Sequence, residues 1–320
     1  MDLSKRIEPT TWAFVEKVQK AGGKPIYDIP VAEGREIFIK VQSGKVDMPD
    51  VDFEDHTLPV GPKREVSVRI YKPKGAKEKL PVVMYFHGAG WVFGGIETHD
   101  RLVREITDGA HVALVFVNYS LSPEAQYPVP IEEAYAATKY IAEHGKEFNL
   151  DSSRLAVAGD SVGGNMAIAV TLMAKERGGP KIAYQALIYP VTNADFNNGS
   201  YKEFADGPWL TKKAMEWFWK NYLPDEKKRK EHTACPLNAT IEQVKGLPPA
   251  LVINGECDVL RDEGEAYAHK LNEAGVRVTG KRYHSTIHDF MLLNDIASAP
   301  ACRDAVDMVS THLKKALNGK

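Results

Sequence analysis

The chemistry of this chain centres on Leu155-Ala-Val-Ala-Gly159-Asp160-Ser161-Val162-Gly163-Gly164-Asn165, where an apolar strand runs into Gly-x-Ser-x-Gly and a helix-compatible stretch follows. This is the sequence form of a nucleophile elbow. The strand-to-helix turn is sharp and strained, so small neighbours must let the backbone fold while Ser161 Oγ is lifted clear. A serine so presented can attack a carbonyl carbon. A Gly-rich loop with a capping serine would read the same way, so the surrounding chain has to supply the remaining parts.

Upstream, Leu80-Pro-Val-Val-Met-Tyr-Phe86 reads as a buried strand and runs into His87-Gly88-Ala89-Gly90-Trp91, which resembles the HGGG-type oxyanion loop of esterases. Acyl transfer places negative charge on the former carbonyl oxygen, and preorganised backbone N–H groups stabilise it. The expected donors are Gly88, Ala89 and Val162. Ala89 stands where such loops usually have glycine, so a narrower mouth is expected. His87 precedes the nucleophile and is expected to brace the loop by hydrogen bonding, with Asp160 supporting the elbow in the same structural way.

A serine hydroxyl needs a base within hydrogen-bond reach, oriented by a third group. After such an elbow these follow in the order acid, then His. The strand signal Pro249–Asn254 leads into Gly255-Glu256-Cys257-Asp258, and a second strand-like segment, Val276–Tyr283, leads into His284-Ser-Thr-Ile-His288-Asp289-Phe290. His288, in the loop beyond the strand, is the expected base, with His284 as competitor. Asp258 is the expected acid, with Glu256, Asp262 and Asp289 as rivals. Asp289 is disfavoured because consecutive side chains generally diverge. Its charge is nevertheless expected to favour the imidazolium and to move activity toward higher pH.

These segments, with Asn118-Tyr-Ser-Leu-Ser-Pro-Glu124 and Glu256-Cys-Asp-Val-Leu-Arg-Asp-Glu-Gly-Glu265, together resemble the hormone-sensitive-lipase-like branch of the α/β-hydrolases over roughly residues 60 to 315. The resemblance implies a serine carboxylesterase acting on short- to medium-chain esters without metal or cofactor. It implies the triad Ser161, Asp258 and His288, and an α/β-hydrolase fold with a mostly parallel sheet, flanking helices and a helical cap. Amide or carbamate hydrolysis would use the same triad. A non-catalytic small-molecule receptor on this fold would be expected to lack part of it, and here every role is filled.

Elements in βαβ alternation must position these groups. Val66–Tyr71, Leu80–Phe86, Ala110–Tyr119, Leu155–Ala158, Ile182–Tyr189 and Ala250–Asn254 read as strands, and Ile131–His144, Gly164–Arg177 and Asp262–Ala274 as helices. The expected division is cap at 1–50, core at 51–190, cap insertion at 191–230 and core at 231–320. The insertion carries Phe204, Trp209, Trp217, Phe218 and Trp219. Such rings pack cap helices or wall an acyl pocket, and Trp91, Trp209 and Phe218 are the candidates for substrate contact.

A chain of 320 residues, 43% hydrophobic and with formal charge −2, can bury a large core and has no general attraction for nucleic acid or anionic membranes. No secretory signal and no run of roughly 18 apolar residues is visible, so no membrane span and a cytoplasmic location are expected. Cys235, Cys257 and Cys302 lack metal-ligand spacing and are expected to be free thiols. His284 and His288 share the spacing of a zinc helix without its Glu, and Phe93 stands where a dinucleotide motif needs its third glycine. The expected partner is a small-molecule ester, and homo-oligomer formation stays open.

Overall fold

In the computed structural model, which describes residues 2–319, eight strands form one sheet. They are β1 (Val51–Leu58), β2 (Val66–Pro73), β3 (Leu80–Phe86), β4 (Ala113–Asn118), β5 (Leu150–Asp160), β6 (Tyr184–Ile188), β7 (Ala250–Cys257) and β8 (Val278–Ile287). Their spatial order is β1-β2-β4-β3-β5-β6-β7-β8. Only β2 runs antiparallel, to β1 and to β4; every other pair is parallel. β3 and β6 are buried throughout, as expected of strands covered by helices on both faces. The helices are α1 (Pro9–Ala21), α2 (Val31–Gln42), α3 (Ile96–Ala110), α4 (Val129–His144), α5 (Val162–Glu176), α6 (Gly199–Glu203), α7 (Lys212–Tyr222), α8 (Ile241–Val244), α9 (Arg261–Glu273) and α10 (Pro300–Asn318).

β3 coincides with its sequence expectation, whereas β4 starts three residues late. Ala110 belongs to α3, which ends at His111 in a left-handed cap, φ 52°, and the apolar run across that boundary hides the turn. β8 continues past Tyr283 through Ile287, so His284 lies within the strand and His288 directly after it. β1 has no counterpart in the sequence reading. It is an edge strand rich in acids, and Phe53 on it is exposed, so it carries little of the apolar signal by which strands are recognised.

The carboxyl ends of β3, β5, β7 and β8 release the four segments that carry the proposed chemistry, where parallel sheets of this kind bind ligands. Close packing of α5 on β3 sets their spacing. A Cβ at Gly163 would overlap the backbone oxygen of Phe86, so only glycine lets the elbow helix approach. Gly163→Ala is therefore expected to cost on the order of 3 kcal/mol of stability, read as a lowered urea midpoint; an unchanged midpoint would contradict this packing account.

α1, α2, α6 and α7 lie outside the strand–helix alternation. The Phe14 ring on α1 meets Trp209 ahead of α7 at 5.3 Å. Arg6 pairs with Glu203 of α6, and Arg35 of α2 holds Glu124 and the carbonyls of Val92 and Ser122. The amino-terminal segment is thus tied both to the 191–230 region and to the loops after β3 and β4.

Candidate active site

β5 ends in Asp160, and Ser161 follows at φ 55°, ψ −119°. This strained backbone costs about 1–3 kcal/mol and survives because neighbours hold it. Ser161 N–H donates to Ile188 O at 2.8 Å, and Ser161 O accepts from Val191 N at 3.0 Å and Asn165 N at 3.2 Å. The hydroxyl therefore points away from the turn. His288 Nε2 lies 3.0 Å from Ser161 Oγ, and His288 Nδ1 lies 2.7 Å from Asp258 Oδ2. Asp258 Oδ1 accepts from Leu260 N at 2.9 Å. With Nδ1–H directed at the carboxylate, Nε2 is left free to receive the serine proton. All three side chains are buried.

The rivals are placed elsewhere. His284 points outward, its side chain 77% exposed, and pairs with Glu256. Glu256 in turn accepts from Arg6 Nε and Ser285 N–H, and Asp262 accepts from Ser200 N–H and Arg261 Nε.

Asp289 departs from expectation. Its side chain does not diverge: Oδ1 lies 3.4 Å from His288 Nε2, and Oδ2 accepts from Trp209 Nε1 at 2.9 Å. A left-handed backbone at φ 62° makes the difference, since the divergence of neighbouring side chains holds for ordinary extended or turn geometry. Burial would depress the imidazole, but the Asp258 and Asp289 carboxylates outweigh it and raise His288 to about 9. Burial likewise lifts Asp289, against the opposing pull of His288 and Trp209. A base must be neutral to act, so the acid limb of kcat/KM is expected on the alkaline side of neutrality. Asp289→Asn removes one of the two carboxylates and is expected to move that limb to lower pH; superimposable pH–rate curves would refute this.

The oxyanion loop needs one correction. Gly88 N–H, expected in the hole, donates to Asp160 Oδ1 at 3.1 Å, which spends it on the scaffold. Among the described residues no acceptor within the chain engages the N–H of Ala89, Gly90 or Val162. Ala89 and Gly90 line the same cavity as Ser161 and His288, and Val162 opens α5, whose N-terminus favours negative charge. The N–H groups left free at the cavity are therefore those of Ala89, Gly90 and Val162, one residue along from the expected set. The motif locates the loop, but only the peptide orientations decide which N–H groups face inward. Gly90 is left-handed, and a Cβ there would run into the Phe218 ring; that glycine was the signal available in the sequence. Ala89 keeps its N–H at φ 74°, a conformation costing an L-residue roughly 1–2 kcal/mol.

A buried polar network holds the loop from behind. Asp160 also accepts from Tyr85 OH at 2.7 Å and faces His99 Nε2 at 3.3 Å. Burial opposes its ionisation, yet His99 and Tyr85 keep its carboxyl below the usual range. His87 is neutral, pushed down to about 3 by burial and by His99. Its Nδ1 lies 2.9 Å from Gly88 O, and Tyr119 OH donates to His87 O at 2.7 Å. His87 and Asp160 therefore brace the turn, as their positions suggested.

Ser161 and His288 open into a cavity of about 700 Å³ lined by Ile37, Phe38, Phe93, Trp209, Met215 and Phe218 among others. Trp209 and Phe218, two of the three candidates for substrate contact, are thus part of the cavity lining. Trp91 does not. It is fully buried, stacked on Tyr222 at 4.0 Å and edge-on to Trp219 at 4.9 Å, because α7 needs an aromatic surface to pack upon. All three cysteines are free and buried. Among the described residues no three His, Cys, Asp or Glu side chains are grouped to hold a metal, and no helix is long and apolar enough to cross a membrane.

An elbow serine after β5, a carboxylate after β7 and an imidazole after β8, on a sheet of this strand order, define the architecture as an α/β hydrolase. Comparison with known proteins agrees. The sequence pattern of a family with the α/β hydrolase fold matches residues 83–292. The chain is 43% identical over 309 residues to an α/β hydrolase of Acanthamoeba polyphaga mimivirus, covering 97% of this chain and 88% of that one. It is 37% identical over 273 residues to the carboxylesterase NlhH of Mycobacterium tuberculosis, covering 85% of each. It superposes on the crystal structure of a thermostable esterase from Pseudomonas putida with a TM-score of 0.96 at 48% identity, over 98% of each chain. The chain belongs to this family of α/β hydrolases, in its hormone-sensitive-lipase-like branch.

Proposed function

We propose that this carboxylic ester hydrolase cleaves short- to medium-chain acyl esters by two-step acyl transfer at Ser161. His288 Nε2 takes the serine proton as Oγ attacks the ester carbonyl, and Ala89, Gly90 and Val162 N–H groups receive the oxyanion. Collapse breaks the bond to the alcohol oxygen, which leaves with the proton from Nε2. Water then attacks the acyl-enzyme with the same imidazole as base, and the acid departs. Asp258 fixes the imidazole tautomer and stabilises its charge. Residues 1–50 and 191–230 act as the cap, whose apolar rings exclude water and strengthen the oxyanion bonds.

The observation that carries this reading is the relay from Asp258 through His288 to Ser161, with hydrogen bonds of 2.7 and 3.0 Å, opening into the apolar cavity. The cavity volume of about 700 Å³ and its largely apolar lining support acyl chains of limited length. A panel of p-nitrophenyl esters from acetate to palmitate tests it, run on the parent and on Ser161→Ala. Turnover confined to the parent and peaking at short or medium chains is expected. A peak at palmitate would overturn the chain-length assignment, and equal turnover by the alanine variant would overturn the mechanism. An anilide of the preferred acid, cleaved as fast as its ester, would favour the amidase alternative.

A further inference from the structure

Three successive residues of the loop after β3, Ala89, Gly90 and Trp91, have left-handed backbone, with φ of 74°, 69° and 60°. Such a run persists only where neighbours over-determine it, and two of the three carry side chains that oppose it. One end of the loop is held by Asp160, through the N–H of Gly88. The other end is held by Arg35 of α2. Its Nε donates to Val92 O at 2.9 Å, and Nη2 donates to Ser122 O at 3.0 Å, while the N–H of Ser122 holds Trp91 O at 2.8 Å. Val92 is fully buried, and among the described residues no other donor within the chain reaches its carbonyl. Glu124 accepts from Nη1 and Nη2 at 2.9 and 2.8 Å, a two-pronged contact that fixes the plane of the guanidinium. The adjacent Gly34 marks the same contact, since a Cβ there would come within 2.7 Å of the Phe93 ring.

We propose that Arg35 is a positioning residue for the oxyanion step: by gripping Val92 and Ser122 from the amino-terminal helix, it keeps the N–H groups of Ala89 and Gly90 aimed at the reacting carbonyl. The inference rests on the esterase reading above and deepens its oxyanion step. Ile37, Phe38 and Val41 of α2 line the cavity, so the helix that walls the substrate also sets the amides that stabilise its charge. Substrate seating and the oxyanion site are coupled through one side chain. The ground-state ester is held mainly by the apolar walls, whereas the tetrahedral intermediate depends on the amides, so a slackened loop costs kcat and spares KM.

Arg35→Met keeps the length of the stem without its donors, and Arg35→Lys keeps the charge, but one ammonium cannot span two carbonyls and a carboxylate. Both are assayed on p-nitrophenyl butyrate and against propyl trifluoromethyl ketone. Ser161 Oγ adds to the carbonyl carbon of this ketone as His288 takes the proton, which leaves an oxyanion in the same hole. kcat is expected to fall about thirtyfold in the methionine variant and about tenfold in the lysine variant, less than the roughly hundredfold loss on deleting a donor outright. KM is expected to stay within about twofold of the parent's, and Ki for the ketone to weaken by the same factors as kcat/KM. The Ki separates positioning from plain support of the fold, because a smaller share of folded enzyme lowers Vmax and leaves Ki where it was. Parent-like Ki in both variants would overturn the proposal, as would a raised KM at unchanged kcat. Should the methionine variant fail to fold, the lysine variant decides alone. Variants that match an active parent leave the esterase reading standing, whereas a parent without turnover of the ester would overturn both.

Discussion

Alanine at Ser161, at His288 or at both is expected to lower kcat by one common factor, on the order of a million-fold. The two side chains share a single proton across 3.0 Å. Without the imidazole the hydroxyl cannot lose that proton at neutral pH, and without the hydroxyl the imidazole has no nucleophile to serve, so removing the second group takes away nothing that still works. A residue of catalysis over the uncatalysed rate remains in each variant, because the N–H groups of Ala89, Gly90 and Val162 and the cavity still bind the ester in place. Single-turnover and steady-state assays on p-nitrophenyl butyrate, with circular dichroism confirming the fold, decide the point. Losses that multiply in the double variant would show that the groups act independently and would overturn the relay.

Asp258→Asn is the second large effect, an expected loss of about ten-thousand-fold in kcat with little change in the fold. The asparagine amide keeps the shape, but its oxygen already serves Leu260 N–H in place of Oδ1, and its nitrogen then faces His288 Nδ1. Two N–H groups cannot point at each other, so Nδ1 gives up its hydrogen and Nε2 carries it. The imidazole can no longer accept the proton of Ser161. Glu256→Gln is the control. Glu256 contacts Arg6, Ser285 and His284 and stays off the imidazole, so its kcat is expected to remain close to the parent's. A loss in Glu256→Gln as deep as in Asp258→Asn would overturn the assignment of the acid.

Those contrasting expectations reflect how unevenly the site is written along the chain. Ser161 is legible because the strained elbow tolerates few residue types, and Gly159 and Gly163 are imposed by backbone contacts that a Cβ would violate. Asp258 and His288 are legible as candidates because each follows a strand of an alternating pattern, but Glu256 follows the same strand as Asp258, and it is the resemblance to the hormone-sensitive-lipase-like branch that singles out Asp258. The oxyanion loop was legible as a segment, but not which of its N–H groups stay free of partners within the chain. Gly88 and Gly90 are the same residue type two positions apart, yet one N–H is spent on Asp160 and the other is left for the site. Trp91 and Trp209 are a similar pair: one ring packs against Tyr222, the other reaches the cavity and holds Asp289. Composition and periodicity treat both as large apolar side chains.

By itself, then, the amino-acid order determined the parallel-sheet architecture and marked Ser161 and His288 as candidates for nucleophile and base, because each depends on local backbone demands or on apolar periodicity that a short window contains, whereas the choice of Asp258 over Glu256 also drew on the family resemblance. Tertiary structure alone decided which amides of the Gly88–Gly90 loop are left without a partner within the chain, how the amino-terminal helices and the 191–230 segment share one cavity, and that a left-handed turn brings Asp289 back to His288. These outcomes turn on peptide orientation and on contacts between segments remote in the chain, such as Trp209 with Phe14 and Asp289. Such contacts exist only once the sheet has assembled and its loops compete for the same space.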